Sequence, residues 1–226
     1  MRNSETSSKA VPMAGRKSSG FSLVELLVVI SIIVLMASLM GPTLNSALRG
    51  NAMTQAGDKV TGTLTLAHQM AVTRNQTIEV RIYSYIDPEM PGDKGQGRAI
   101  QAFTVDDAGV PSPISKAQAL PPTVVISTNP TLSTIFSLTS MEPSQGGNFK
   151  IPRVGTKYQY VSYKYYRSGS TSLVSQSTSA SSQPHWCITL EGIQDASSGK
   201  TTLPKNFTTI TIDPYNGALK TYRPTL

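Results

Sequence analysis

The sequence is poor in the residues that staple, ligate and catalyse. Its single cysteine, Cys187, excludes an internal disulfide, so an exported domain made from this chain has to rely on packing. Cys187 lies beside Trp186 in a strand-like run and reads as a small buried hydrophobe. There are two histidines. His185 has only Cys187 nearby, too few donors for a zinc site. His68 falls one position off the apolar face of an expected helix and reads as a partly exposed helix residue. The sequence has no G-x-S-x-G elbow, no P-loop and no dinucleotide fingerprint. Internal repeats are absent too. An enzyme is therefore not expected, and neither a cofactor nor a metal is called for.

Acidic residues are also few, 13 against 20 basic, for a net charge of +7. Much of that excess sits at the start. Arg2, Lys9, Arg16 and Lys17 against Glu5 give the first twenty residues +3, which leaves +4 for the rest. Such a balance is no strong sign of nucleic-acid binding. Asp87, Glu89 and Asp93 share one loop and could offer oxygens to calcium, which wants six to eight. A solvated acidic loop is the simpler reading.

The sequence does contain one long apolar run. Phe21 to Met40 is twenty residues with a single charge, Glu25. As a helix it would be about 30 Å long, the thickness of a bilayer's hydrocarbon core. Basic residues precede it and no charge follows until Arg49, an asymmetry that holds the N-terminus in the cytoplasm. Glu25 is the anomaly, since a carboxylate in an apolar helix costs roughly 2.5–3.5 kcal/mol on insertion scales. It calls for a cationic partner. A cut between Gly20 and Phe21 would supply one, an α-amino group with a pKa of about 7.7–8.0. That amine would sit about one helical turn from Glu25 of its own chain, or meet Glu25 of a neighbouring subunit. A secretory signal peptide wants a shorter apolar core and an A-x-A-like site. A plain anchor explains the length of the run but not Glu25.

Lys17-Ser18-Ser19-Gly20, then Phe21-Ser22-Leu23-Val24-Glu25 and the apolar run, closely resembles the signal of type IV prepilins and type II secretion pseudopilins. In that family a prepilin peptidase cuts after the glycine and methylates the new N-terminal phenylalanine. The resemblance implies that Gly20 and Phe21 are the processing site, Phe21 the N-methylation site, and Phe21 with Glu25 the assembly pair. Pro42 stands where the family has a helix-kinking proline. Residues 64–82 are similar to the helix-to-first-strand junction of H-type pseudopilins and T-type minor pilins. Among subfamilies the chain is similar to the prepilin-like Verru_Chthon cassette protein D group. The implied partners are other pseudopilin or pilin subunits, the prepilin peptidase, the inner-membrane assembly platform and the lipid bilayer. Nucleic acid is not expected. Lys220 and Arg223 are similar to the basic tail of DNA-binding minor pilins, on the strength of only two charges. The implied function is a structural subunit of a periplasmic pseudopilus for type II secretion. The alternatives are a minor type IV pilin that displays a DNA- or surface-binding head, and an exported enzyme on a membrane anchor.

The expected organisation is a cleaved leader (1–20), a transmembrane helix (21–41), an amphipathic stem helix (42–75) and a β-rich head (76–226). Met53, Ala56, Val60, Leu64, Ala67 and Ala71 recur with a helical period and mark one apolar face of the stem. Gly62 and the neighbouring threonines leave room for a bend or frayed turn. From Thr77 the period changes to two, so Thr77–Tyr83 reads as a half-buried strand. Further strands are expected at 98–105, 123–127, 158–167, 186–193, 206–213 and 218–223, with a possible one at 134–138. The last two should form a hairpin. Residues 110–122 read as an irregular connection and the serine-rich 168–182 as a mobile loop. The tyrosines from 158 to 166 read as one face of core aromatics. The fold class is α+β, a long N-terminal helix packed on an antiparallel sheet, as in pilins.

Overall fold

A computed structural model describes residues 20–90, 93–143, 149–173, 186–197 and 201–224, with the backbone alone at 39–47. The leader residues 1–19, His185 and part of the serine-rich stretch (174–182) lie outside the described residues. The chain divides into two compact units, Met1–Leu44 and Asn45–Leu226. Helix α1 spans Leu23–Thr73 and contributes to both.

In the first unit, Phe21 and the large apolar side chains from Leu23 to Met36 are all between 48% and 81% exposed. Pro42 lies within the helical span. Among the described residues no helix is long and apolar enough to cross a membrane. The described side chains of this stretch stop at Ser38, short of the end of the apolar run at Met40.

In the second unit, residues 45–73 of α1 lie on a sheet. The six apolar positions marked by the helical period are all buried, Met53 at 1% and the other five at 0%. They share one core with Ile78, Val80, Ile82, Ile126, Ile188 and Ile210 of the strands. Each buried Val, Leu, Ile or Met contributes roughly 1.5–3 kcal/mol. The helix continues through Gly62, and Thr63 returns its hydroxyl to the Lys59 carbonyl at 2.8 Å. Asn75, at φ +52, takes the left-handed turn that ends α1, with Gln76 N–H bonding the Ala71 carbonyl at 3.2 Å.

The strands are β1 (Thr77–Ser84), β2 (Gly97–Val105), β3 (Pro111–Pro113), β4 (Gln118–Ala119), β5 (Val124–Ile126), β6 (Gln159–Tyr165), β7 (Trp186–Gly192), β8 (Phe207–Ile212) and β9 (Leu219–Tyr222). A short helix, α2 (Ile193–Ser197), follows β7. The sheet order is β6-β1-β2-β5-β7-β8-β9, with β3 and β4 also on β2, and every pairing is antiparallel. The fold is therefore α+β, a helix packed on a large antiparallel sheet. The β8–β9 hairpin stands as expected.

Four expectations need correction. First, β1 is buried on both faces, not one. A second apolar layer of Tyr83, Phe103, Ile151, Tyr158 and Tyr160 covers the side away from the helix. Second, the tyrosines divide between the faces. Tyr163 and Tyr165 join the core under α1, while Tyr158 and Tyr160 join the other layer. Even and odd positions on a strand point to opposite faces, and the run changes parity after Tyr160. Third, residues 134–137 form a 3₁₀ turn, not a strand. Fourth, Cys187 is only half-buried; its thiol donates to the Leu132 carbonyl at 3.4 Å, and its N–H donates to Thr134 Oγ1 at 2.8 Å.

Candidate functional site: the start of α1

Gly20 and Phe21 precede the helix and are exposed. Helix α1 begins in a sequence-coded way. Ser22 is its N-cap, because the Ser22 carbonyl accepts the first helical hydrogen bond, from Leu26 N–H at 3.2 Å. The Ser22 backbone N–H donates to Glu25 Oε2 at 2.9 Å. In return Glu25 N–H donates to Ser22 Oγ at 3.2 Å. These reciprocal bonds are a capping box and satisfy two backbone donors that the first turn would otherwise leave open. The negative carboxylate also lies at the positive end of the helix dipole.

The capping box was missed in reading the sequence, although Ser22-Leu23-Val24-Glu25 ahead of an apolar run is its signature. It qualifies the argument for a cationic partner. One oxygen of Glu25 is already held by the chain's own backbone, but a carboxylate has room for about four hydrogen bonds. Glu25 can cap its own helix and still receive an amine.

The helix beyond the cap is apolar in a stricter sense than its composition implies. Its other polar side chains up to residue 38 are Ser31 and Ser38. Ser31 Oγ donates to the Leu27 carbonyl and Ser38 Oγ to the Leu35 carbonyl, both at 2.8 Å. All three polar side chains are thus bonded within their own helix, as an apolar surrounding demands.

The other candidates lie in the second unit, and each already has structural work. Asp93 accepts from Asp87 N–H at 2.7 Å and pairs with buried Arg98 at 2.9 Å. Glu89 pairs with Arg153. Asp93 and Glu89 are thus each tied to an arginine, and no group of three or more His, Cys, Asp or Glu side chains that could hold a metal ion is present among the described residues. Arg223 donates to Thr54 Oγ1 at 2.6 Å and to the Gly50 carbonyl at 3.1 Å, so it fastens the end of the chain to α1. His68 is half-buried and stacks at a tilt on Tyr165, with ring centroids 5.5 Å apart.

Arg81 is the group that sequence reading did not anticipate. It is 1% exposed and pairs with Glu79 at 2.6 Å. Its guanidinium lies over the rings of Phe103 and Tyr160, at 4.4 and 4.7 Å from their centroids. Its Nη1 has no hydrogen-bond partner among the described residues. Burial raises the pKa of the nearby Tyr83 phenol, against the opposing pull of the Arg81 charge. With the guanidinium buried among these rings and paired with Glu79, the cluster is a core network.

Residues 15–41 match the family model of the prokaryotic N-terminal methylation motif. A search of curated proteins finds no match. Among solved structures the chain is similar to the type IV minor pilin FimU of Pseudomonas aeruginosa, with 11% identity and a TM-score of 0.37. That similarity covers 77% of this chain and 93% of the other. The chain thus carries the N-terminal methylation motif of type IV prepilin-like proteins, at the capped start of a helix whose second part is packed on an antiparallel sheet.

Proposed function

We propose that this protein is a pilin-like structural subunit. It is inserted in the inner membrane by residues 21–40 with its N-terminus in the cytoplasm. It is then cut between Gly20 and Phe21, methylated at Phe21, and assembled into a periplasmic pseudopilus for type II secretion. The observation that carries this reading is the helix after the cut. From Leu23 to Ser38 it is exposed, its large side chains are apolar, and its polar side chains Glu25, Ser31 and Ser38 are each bonded within it. Such a surface needs lipid before assembly and the helices of other subunits after it. The methylation motif at residues 15–41 supports the same processing site. No catalytic role is assigned, and the second unit acts as the head that the filament displays.

Glu25 supplies the test. Glu25→Leu removes the charge that is costly in lipid, so the variant should insert at least as well as the parent. Cleavage should persist, because the scissile bond is untouched. What should fall is crosslinking between subunits in membranes at matched expression. Equal crosslinking for the parent and Glu25→Leu would show that Glu25 has no role in assembly.

A further inference from the structure

We propose that Arg49 and Arg223 form a paired guanidinium surface that rests on the anionic phospholipid headgroups of the membrane in which the chain is inserted. This inference rests on the membrane reading above and adds a lipid contact made by the second unit before assembly. Arg49 is the only charged side chain between Glu25 and Asp58. It is exposed, and Leu48 beside it is 60% exposed. Arg223 comes from the far end of the chain, and the fold brings it to the same part of α1. Its Nη2 donates to the Gly50 carbonyl at 3.1 Å and its Nη1 to Thr54 Oγ1 at 2.6 Å. Both acceptors are neutral, so these bonds fix the guanidinium without cancelling its charge. Neither arginine belongs to an ion pair among the described residues. A guanidinium carries five N–H donors in a planar fork that matches phosphate oxygens. Arg223 uses two of them on α1 and keeps the rest.

Chain length sets the reach. Arg49 is nine residues past Met40, where the apolar run ends. Nine helical residues rise about 13 Å, and tilt only shortens that height. The headgroup layer outside the hydrocarbon core is roughly 5–8 Å thick. The gap that remains is roughly 5–8 Å, within the screening length of about 8–10 Å at ordinary salt. Helical side chains lean toward the N-terminus, so Arg49 leans toward the lipid. Exposed Leu48 next to it suits the same boundary, where an apolar body and a charged tip are both at ease. Asp195 lines a cavity of about 140 Å³ together with Arg49, Met53 and Asn206, and its carboxylate tempers the positive charge there. Each cation near an anionic surface strengthens the hold roughly fivefold. Two give a weak and reversible hold, as a subunit that leaves the membrane for a filament requires.

Amide hydrogen exchange tests the proposal, on the full chain reconstituted in bilayer discs of phosphatidylcholine alone or with phosphatidylglycerol added. Binding to the folded chain protects the turns it holds in proportion to occupancy. Exchange from Gly50 to Thr54 should slow several-fold when phosphatidylglycerol is present, and high salt should remove the difference. Arg49→Gln leaves the fastening of Arg223 intact and should lose most of the difference. Arg49→Lys keeps the charge and should retain it. Arg223→Gln also frees the end of the chain, so its readout is the difference between the two lipids, which should shrink. Equal exchange of the parent in the two lipids would overturn the proposal. So would a lipid difference that persists when both arginines are glutamine. The same slowing from free inorganic phosphate over phosphatidylcholine discs would overturn it too, because the site would then serve a soluble anion. A chain that does not insert in the discs would instead overturn the membrane reading, and the surface with it.

Discussion

Gly217 offers the sharpest test of how the sheet is fastened to α1. It sits at φ +69 in the turn between β8 and β9. A Cβ there would stand 2.7 Å from the Gly169 carbonyl oxygen, 2.8 Å from His68 Cδ2 and 2.9 Å from Tyr165 Cε1. Gly217→Ala therefore combines two penalties. A non-glycine residue in the left-handed region costs roughly 1–2 kcal/mol. Relieving three such contacts, one of them with backbone, adds about 1–3 kcal/mol, the usual cost of overpacking. Gly109 is the control. It has a similar φ of +81 but nothing within 4 Å of its would-be Cβ, so Gly109→Ala should show the backbone penalty alone. The assay is urea unfolding of a fragment spanning residues 45–226. With a slope of about 2–3 kcal/mol per molar, Gly217→Ala should unfold at a urea concentration about 0.3–1.5 M lower than Gly109→Ala. Equal midpoints for the two variants would refute the packing of the Gly217 turn on His68 and Tyr165.

Other outcomes follow from the same structure. Residues 45–226 should be soluble and fold cooperatively, because the apolar face of the stem is buried within that unit; a fragment recovered only as aggregate, or with a broad non-cooperative melt, would contradict this. Arg81→Met should destabilise that fragment by about 3–5 kcal/mol in denaturant unfolding, because it strands buried Glu79 without its cation, and adding Glu79→Gln should recover part of the loss. Burial pushes the Tyr165 phenol up to about 12 and raises those of Tyr83 and Tyr163 as well. The folded chain then holds these protons more tightly than the unfolded chain. Stability should be flat with respect to these groups below pH of about 10 and fall as pH rises beyond it, which alkaline unfolding curves would check.

How far the sequence could be read depended on period and on local rules. The helical period from Met53 to Ala71 placed the helix face that lies on the sheet, since one-sided burial leaves a regular trace. Strands β1, β2, β6, β7, β8 and β9 were recognisable from β-branched or aromatic runs. The second layer over β1 was not, because Met141, Phe149, Ile151, Val154 and Tyr158, which help build it, lie far along the chain, and Glu79 and Arg81 read locally as a polar face. Only the pairing of the two charges and the rings of Phe103 and Tyr160 makes their burial tolerable. The short strands β3 and β4 escaped notice because prolines dominate residues 110–122, and proline is accepted only on such marginal strands. At the candidate site Glu25 stands out by its charge, whereas Gly20 and Phe21 are singled out by the resemblance of residues 17–25 to the prepilin signal. The capping role of Ser22 is legible in Ser22-Leu23-Val24-Glu25, a serine followed three residues later by a glutamate ahead of an apolar run.

Processing after residue 20 is the event on which the proposed function depends most. Intact-mass measurement of the protein extracted from membranes of the organism that makes it addresses that event directly. The expected product is a chain that begins at Phe21 and is heavier by one methyl group. A chain that begins at Met1, or one cut after Met40, would contradict it.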